Sequence, residues 1–504
     1  MNLDDRKQEK DEQVYERLPV KEKSLGINMV MYSIKTISTV LFPFISYSYA
    51  SHILNVDSIG KVEFSHSIIS YFTLFAGLGI NTFTIRSGSK YKDDKEAFAS
   101  FANRALSIVL LSTVLSYVVL FALMAIVPRF AQIKTLLLIQ SFMISLTTFG
   151  IEWLYVIYEK YAYIAIRSLS FQTIGLFFLF VFVKQPSDYM LYAIIVMLAT
   201  YGPCCINFVQ SKSYFRKKLI YDKVSLDYLK EISVMFFFSL TSTIYVNSDS
   251  TMIGFLSGDY FVGLYSVATK IYTAFKVFLS TVMNVSLTRL SYYFALDRIE
   301  KYHNTVSMLM NILIIIVFPL MIGICCLAKP LVFVIGGAKF AEAEPALIIL
   351  SGTLLFATAG MMINCTILLP QKKEKYILLA TSIGAIANIV LNLFMIPMFQ
   401  HVGAAWTTLI SETIVMVIQC YAGRSTLKAL AIDVKSTLIP SLIECFIIII
   451  VYICVSMVTT LAMPAIILTF CLSIIAYLVL LLAFKNAMIL SLREKIPVRI
   501  RKLK

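Results

Sequence analysis

Long apolar runs constrain this chain more than any other feature of its sequence. They recur along almost its whole length and are about 20 to 28 residues long, enough to cross a hydrocarbon layer of roughly 30 Å at 1.5 Å per residue. Within lipid, a segment has to satisfy its own backbone hydrogen bonds, which a helix does. Strands of an outer-membrane barrel would alternate over about 10 residues, and these runs do not. The sequence therefore predicts an all-α polytopic membrane protein.

The composition favours the same class. Charged residues make up 14% of the 504 residues, against roughly 25% in soluble domains, so the chain has too few charges to cover a water-facing surface. The first 23 residues carry mixed charges and lack an apolar core, so we expect an uncleaved first anchor rather than a signal peptide. The nine cysteines lie in or beside apolar runs without a C-x-x-C pair. We therefore expect no metal site and no cofactor.

Lysine and arginine residues predict the orientation of the helices. The predicted spans are 25–50, 60–85, 97–126, 134–158, 162–183, 189–211, 231–256, 260–288, 303–327, 345–369, 376–398, 402–423, 437–459 and 462–484, which makes about 14 transmembrane helices. With the N-terminus inside, 33 of the 44 basic residues fall on cytoplasmic segments and 6 on outer segments, as the positive-inside rule requires. A missed helix would invert every later loop, so both termini are predicted to be cytoplasmic. The net charge of +15 then needs no nucleic-acid partner.

The connections between the spans divide the chain. The predicted parts are a cytoplasmic tail at 1–24, an N-terminal lobe of six helices at 25–211, a cytoplasmic linker at 212–230, a C-terminal lobe of six helices at 231–424, a helix pair at 437–484 and a basic cytoplasmic tail at 485–504. The basic tail either lies against anionic lipid headgroups or is solvated. We expect a multi-pass protein of the cell (inner, cytoplasmic) membrane.

A weak internal repeat supports this division. Ile59-Gly60, followed by spaced apolar residues, recurs as Val262-Gly263 at a constant offset of 203 residues. Six spans separate the copies, so the two halves would have the same orientation, as in transporters with parallel duplicated halves. Chance matches are easy in apolar sequence, so the repeat does not establish the division by itself.

Polar side chains line up on single faces of several predicted helices at 100° per residue. The candidate cavity residues are Asn28, Tyr32, Lys35 and Thr39 in the first span, Asp249 in the seventh, and Lys270, Thr273 and Asn284 in the eighth. A charge at bilayer depth costs about 2.5–3.5 kcal/mol, so it normally faces a cavity or a partner. Interhelical hydrogen bonding is the competing interpretation for the hydroxyl residues. The pattern predicts a cavity between the lobes, with Lys35 on one wall and Asp249 and Lys270 on the other.

Charges nearer the cytoplasmic side form a second set. The candidates for a gate or secondary cavity are Arg104, Glu152, Arg167 and Lys276. Glu412 and Glu444 belong to no polar stripe, and we expect each to pair with a partner.

The predicted cavity suits an amphipathic anion. Cations at mid-depth would bind a phosphate, hydroxyls would bind a sugar, and lateral openings would admit a lipid tail. A small hydrophobic cation would instead require carboxylates and aromatic side chains. Asp249 would either couple transport to a proton or sodium gradient or pair with Lys270.

Several segments carry a family resemblance. They are 55–64 (NVDSIGKVEF), 71–80 (YFTLFAGLGI) with the nearby Arg86, 249–254 (DSTMIG), 262–270 (VGLYSVATK), 337–340 (GAKF), and 403–406 (GAAW) with Ser411-Glu412. Together they resemble the polysaccharide-type oligosaccharide flippases (the Wzx group) of the multidrug/oligosaccharidyl-lipid/polysaccharide exporter superfamily. The resemblance spans roughly residues 25–424.

The resemblance implies a transporter that moves an undecaprenyl-pyrophosphate-linked oligosaccharide from the inner to the outer leaflet during surface-polysaccharide assembly. It also implies two six-helix lobes around a cationic cavity, alternating access, and a last helix pair that forms a lipid-facing groove. The expected partners are the lipid-linked glycan, membrane lipids and polysaccharide assembly proteins. The family pattern carries an Arg-Glu pair where this chain has Arg86-Ser87, which leaves open whether Arg86 belongs to a gate.

Three alternatives remain at this level. A multidrug or metabolite cation antiporter of the same superfamily would favour a carboxylate-dominated cavity, whereas the spans hold five basic and four acidic residues. A membrane glycosyltransferase or polymerase would need paired carboxylates or metal ligands, usually near a sizeable outer loop, and the chain shows neither. A scaffolding membrane protein would not need charges at bilayer depth. We therefore expect a transporter without catalytic residues.

Overall fold

The structure of the protein, a computed structural model, describes residues 25–431 and 433–486, with side chains except at 25–30, 32, 234, 238, 281, 282, 284 and 285. The predicted tail at 1–24 and residues 487–504 of the basic tail lie outside this part. The side chains of three predicted cavity residues, Asn28, Tyr32 and Asn284, also lie outside the described residues.

Helices dominate the described chain. The first half contains α1 (Leu25–Ile53), α2 (Val56–Gly77), α3 (Ile80–Gly88), α4 (Lys95–Ile126), α5 (Pro128–Gln132), α6 (Lys134–Gly150), α7 (Glu152–Ile157), α8 (Tyr161–Phe182), α9 (Tyr189–Tyr201) and α10 (Pro203–Gln210). The second half contains α11 (Lys223–Leu256), α12 (Asp259–Ala295), α13 (Ile299–Cys326), α14 (Ala328–Gly336), α15 (Glu344–Ile363) and α16 (Glu374–Lys428), followed by α17 (Ile439–Val458) and α18 (Ala462–Ala483). Residues 25–431 and 433–486 contain no strand, and the predicted all-α class is confirmed.

Eleven helical stretches of this part are long and apolar enough to cross a membrane. One of them, Glu374–Lys428, has 55 residues and turns at Gln400, whose φ of 49° and ψ of −128° are not helical. The long helices α1 and α12 are not among the eleven. A count of fourteen requires the kinked stretch to cross twice and both of these helices to cross, so it stays a prediction, as do the cytoplasmic termini.

Helix α11 begins at Lys223, inside the predicted linker at 212–230, so the end of this segment is helical. The carboxylate of Asp222 caps this helix by accepting a hydrogen bond from the Ser225 amide at 2.9 Å. Two nitrogens of Arg104 also donate to it, with a shortest distance of 2.7 Å. Hydropathy marks where lipid-facing sequence starts, whereas the cap decides where the helix starts. Arg104 is therefore tied to the linker, and its hydrogen bonds help to hold the pKa of the Asp222 carboxyl well below its usual range.

Helices pack against each other both within each half and across the boundary between the halves. In the first half, α2 contacts α4 and α6, while α1 packs on α8. In the second half, α15 packs against α12, α13 and α16. The helices α17 and α18 pack on each other, and α17 also packs on α13. The halves meet where α2 lies against α11 and α12. The lobe boundaries inferred from sequence stay a prediction.

Two glycines of the sequence repeat make the closest contact between the halves. A Cβ atom added at Gly60 in α2 would lie 1.8 Å from the carbonyl oxygen of Asp259 in α12. A Cβ atom added at Gly263 in α12 would lie 2.3 Å from the carbonyl oxygen of Val56 in α2. Gly60 therefore faces the backbone one helical turn before Gly263, and Gly263 faces the backbone one helical turn before Gly60. The two helices can approach this closely only because neither glycine carries a side chain.

Replacing Asp222 by Asn tests the linker contact. Asn preserves the helix cap but removes the charge that Arg104 binds, so we expect faster trypsin cleavage at Arg216 to Lys218. The depressed pKa of Asp222 means that the contact is present at neutral pH and is lost only as the pH falls through that depressed value. The control is Asp227→Asn, whose carboxylate makes an exposed ion pair with Lys230. Equal cleavage of the two variants would contradict the prediction.

Replacing Gly60 by Ala tests the contact between the halves. The added methyl group has to push α12 away, and overpacking of this kind costs about 1–3 kcal/mol. We expect faster backbone hydrogen exchange at 56–64 and 259–267, measured by mass spectrometry. Gly77→Ala is the matched control on the same helix, because an added Cβ there meets no atom within 4 Å. Unchanged exchange in the Gly60 variant would show that the contact is not tight.

Candidate functional site

Three charged side chains meet in the first half. The helix breaks at Ile151, which has a left-handed φ of 39°, and Glu152 therefore begins the short helix α7. Its carboxylate lies 2.8 Å from the Lys35 ammonium of α1 and 3.7 Å from the Arg167 guanidinium of α8. Two cations share one anion, so this cluster, the Lys35 cluster, keeps one uncompensated positive charge.

Arg167 is the least satisfied member of the Lys35 cluster. Its side chain is buried, and its Nε and Nη1 atoms have no hydrogen-bond partner among the described residues. Buried guanidinium nitrogens without acceptors are costly. An anion that reached them would relieve this cost, and the fork of N–H groups suits a phosphate.

A second pair of charges joins the two halves. The Lys270 ammonium of α12 lies 3.1 Å from the carboxylate of Glu63 in α2. It also lies 5.6 Å from the centre of the Tyr47 ring, and the Tyr47 hydroxyl is 2.5 Å from Ser266 Oγ. The predicted alternative in which Lys270 pairs with Asp249 is wrong, because Glu63 takes that place. Lys270 is therefore compensated in this conformation.

Asp249 has a shell of neutral donors. Its Oδ1 accepts hydrogen bonds from the amides of Asn388 at 3.0 Å and Asn392 at 2.8 Å. Its Oδ2 accepts from the hydroxyls of Tyr265 and Thr408, both at 2.6 Å. The turn at Gln400 folds the two arms of α16 together, which places the asparagines and Thr408 on the same carboxylate. All four donors are neutral, and no ion pair of the described residues includes this buried carboxylate.

Glu412 and Glu444, the two acidic residues outside the polar stripes, differ in their partners. Glu412 pairs with Lys276 at 2.7 Å, as expected for an acid outside the polar stripes. The corresponding expectation for Glu444 is wrong. Its side chain is 1% exposed, and neither carboxylate oxygen has a hydrogen-bond partner in the described part of the chain.

Other predicted residues do not join these clusters. Thr39 is exposed and donates to the backbone oxygen of Thr36 in its own helix at 2.7 Å, so this hydrogen bond is not the interhelical one of the competing interpretation. Thr273 and Arg86 are also exposed. Arg104 belongs to the linker contact described above.

Sequence reasoning missed several partners of the charged residues. They are Glu63, Tyr47, Tyr265, Asn388, Asn392 and Thr408. Asn388 and Asn392 did carry a signal, because amides four residues apart share one helix face. Glu63 lies near the start of its predicted span, 60–85, where a charge is close to the membrane surface and does not by itself indicate a cavity. No group of three His, Cys, Asp or Glu residues that would hold a metal ion occurs among the described residues.

The helices have the fold of known membrane transporters. The structure of the lipid II flippase MurJ in an inward closed conformation has a TM-score of 0.72 at 16% identity, over 91% of this chain and 100% of that chain. An inward-facing multidrug resistance MATE family transporter of the MOP superfamily has a TM-score of 0.60 at 13% identity, over 80% of this chain and 98% of that one. The described helices thus share the fold of these two membrane proteins.

Sequence comparisons identify the family. The family model for polysaccharide biosynthesis proteins matches residues 25–294, more than half of the chain, and the chain belongs to this family. A putative O-antigen transporter of Shigella dysenteriae is 23% identical over 379 residues, covering 74% of this chain and 92% of that protein. A putative O-antigen transporter of Escherichia coli (strain K12) is 22% identical over 406 residues, covering 78% and 95%. The resemblance to Wzx-type flippases and the inner-membrane location are confirmed.

Proposed function

We propose that the protein moves an undecaprenyl-pyrophosphate-linked oligosaccharide repeat unit from the inner to the outer leaflet by alternating access, for surface-polysaccharide assembly. The Lys35 cluster carries the proposal, because it combines an uncompensated positive charge with unsatisfied guanidinium nitrogens. The family and the flippase fold support the same function. Membrane lipids and polysaccharide assembly proteins are the further partners that this function requires.

The pyrophosphate is the part of the substrate that the Lys35 cluster suits. Lys35 lies in the half of α1 that the charge distribution assigns to the cytoplasmic side, where a substrate would enter. A phosphate at Arg167 would take one of the two nitrogens that lack acceptors, and Lys35 would add a point charge. Charge-assisted bonds of this kind contribute about 1.5–3 kcal/mol each. The exposed apolar faces of α17 and α18 offer a surface for the lipid tail.

Lys270 would act later in the cycle. It lies in the predicted outer half of α12, and Glu63 neutralises it while α2 and α12 are in contact. Opening the molecule towards the outer leaflet would separate these helices and release the ammonium. The phosphate would then find a second cation on the outer side. The two lysines of the predicted cavity are thus assigned to successive steps.

Replacing Lys35 or Lys270 by Gln tests this assignment. We expect flipping of a fluorescent undecaprenyl-pyrophosphate oligosaccharide in proteoliposomes to fall about tenfold or more, because each variant loses one charge-assisted contact. Lys184→Gln is the control, since this lysine is exposed in a predicted outer loop. Equal amounts of protein in the membrane would exclude failed insertion. Undiminished flipping in both variants would remove the proposed role of the lysines.

Asp249 is proposed as the group that couples transport to a proton or sodium gradient. Asp249→Asn keeps the shape but removes the charge, so we expect flipping that no longer responds to an imposed gradient of the coupling ion. Glu444→Gln is the matched control, because it also replaces a buried carboxylate by an amide outside the Asp249 shell. Transport by the unchanged protein that ignores both gradients would make Asp249 a structural residue.

One observation favours a multidrug or metabolite cation antiporter as a second candidate. The Asp249 carboxylate has no basic partner among the described residues and lies beside Tyr265, the kind of group that would bind an organic cation. Ion exchange stimulated by a hydrophobic cation in proteoliposomes, abolished in Asp249→Asn, would support this candidate over the flippase.

A further inference from the structure

A cavity of about 480 Å³ lies at one end of the first half. It is next to the Lys35 cluster, since the Arg167 guanidinium lies 5.3 Å from the centre of the Tyr163 ring that lines it. Its walls come from α7, the start of α8 and the segment that joins them, and from the end of α10 and the residues that follow it. They include Tyr155, Lys160, Tyr163, Lys212, Ser213 and Tyr214. The positive-inside rule assigns both segments to the cytoplasmic side. The volume is in the range of small-ligand sites.

The charge in this cavity is uncompensated. Neither Lys160 nor Lys212 takes part in an ion pair of the described chain, and the Lys160 ammonium lies 5.0 Å from the centre of the Tyr214 ring. Glu159, which precedes Lys160, is engaged by Lys92 at 3.2 Å. Burial and the nearby charge of Lys212 lower the pKa of Lys217. Lys160 and Lys212 thus bring to the cavity two positive charges without an ion-pair partner among the described residues, and an anion would compensate them.

The walls of the cavity are held in place from behind. Asn207 is fully buried, and its backbone oxygen accepts the Tyr155 hydroxyl at 2.9 Å. Its side chain accepts the Tyr163 hydroxyl at 3.2 Å and donates to the Gly150 carbonyl at 2.6 Å. The Tyr214 hydroxyl has no hydrogen-bond partner among the described residues. The walls of the cavity are thus preorganised.

Apolar side chains next to the cavity point to a lipid as the source of the anion. Val209 lines the cavity and is 62% exposed, and Ile166 on α8 is 59% exposed. Such residues on a membrane helix face acyl chains, while lysines and tyrosines at the helix ends lie at the depth of the headgroups. A headgroup in the cavity would have its acyl chains along these apolar faces.

We propose that this cavity binds the phosphate of an anionic membrane lipid headgroup through Lys160 and Lys212. The site is independent of the proposed transport substrate. A free phosphate compound has the same anionic group but lacks the acyl chains, so the two sources differ in whether the apolar faces contribute to binding.

Native mass spectrometry of the full-length protein in detergent tests the proposal, with phosphatidylglycerol as the probe and phosphatidylcholine as the neutral lipid. In the double variant Lys160→Gln/Lys212→Gln we expect phosphatidylglycerol to bind the strongest site about tenfold or more weakly, since each lysine contributes to anionic-lipid binding. Phosphatidylcholine binding should not change. The matched control is Lys372→Gln/Lys375→Gln, which removes two exposed lysines from the same predicted side of the membrane.

Two outcomes would overturn the proposal. If Lys160→Gln/Lys212→Gln and Lys372→Gln/Lys375→Gln weaken phosphatidylglycerol binding equally, lipid binding depends on net charge rather than on this cavity. Displacement of phosphatidylglycerol by millimolar inorganic phosphate or glycerol 3-phosphate would assign the cavity to a soluble phosphate compound. Thermal unfolding of each variant, measured in the same detergent, shows whether a loss of binding comes from loss of fold. If the double variant unfolds, the single variant Lys212→Gln provides the same comparison.

Discussion

The backbones of α2 and α12 touch at Gly60 and Gly263, and the relation between the two halves depends on this contact. The residues that face the glycines, Asp259 and Val56, are themselves separated by the 203-residue offset of the repeat. The contact is therefore symmetric in sequence, with each half presenting the same positions to the other. A symmetric contact forms when an internal repeat packs against its own copy about a two-fold axis. The repeat that is weak as a sequence pattern thus coincides with a physical interface.

Charge compensation follows from the same packing. Glu63 and Lys270 lie on α2 and α12, one or two turns beyond the glycines, so the close approach of these helices brings the carboxylate and the ammonium together. At the end of the same interface, the Arg129 guanidinium binds the Asp259 carboxylate at 2.6 Å and the Gly254 carbonyl at 3.0 Å. The Lys35 cluster lies within one half, and its excess charge does not depend on the contact. One positive site is therefore always available, while another depends on conformation.

The sequence predicts those features that depend on a single helix. Hydropathy finds most of the membrane-length helices, and helical periodicity places Lys35, Asp249 and Lys270 on polar faces. The partners of these residues come from other helices, as with Glu63, which is 207 residues from Lys270. Local sequence patterns do not identify contacts between residues so far apart along the chain. The sequence therefore could not decide whether Lys270 binds Asp249 or Glu63. The start of α11 was missed for a different reason, because a polar cap in the linker fixes it and hydropathy does not detect caps.

The position of Glu63 and Lys270 on opposite halves determines what the pair does. Breaking a buried ion pair by removing one partner leaves an unpaired charge and is strongly unfavourable. Moving the halves apart separates the same two groups but opens a path for water to both, so hydration offsets the lost attraction. Closed and open forms can then be close in free energy, although each contains charges at bilayer depth. A pair within one half would stay together through such a motion and could not respond to it. The charges that join the halves are therefore the ones suited to change state during transport, whereas the Lys35 cluster is suited to bind.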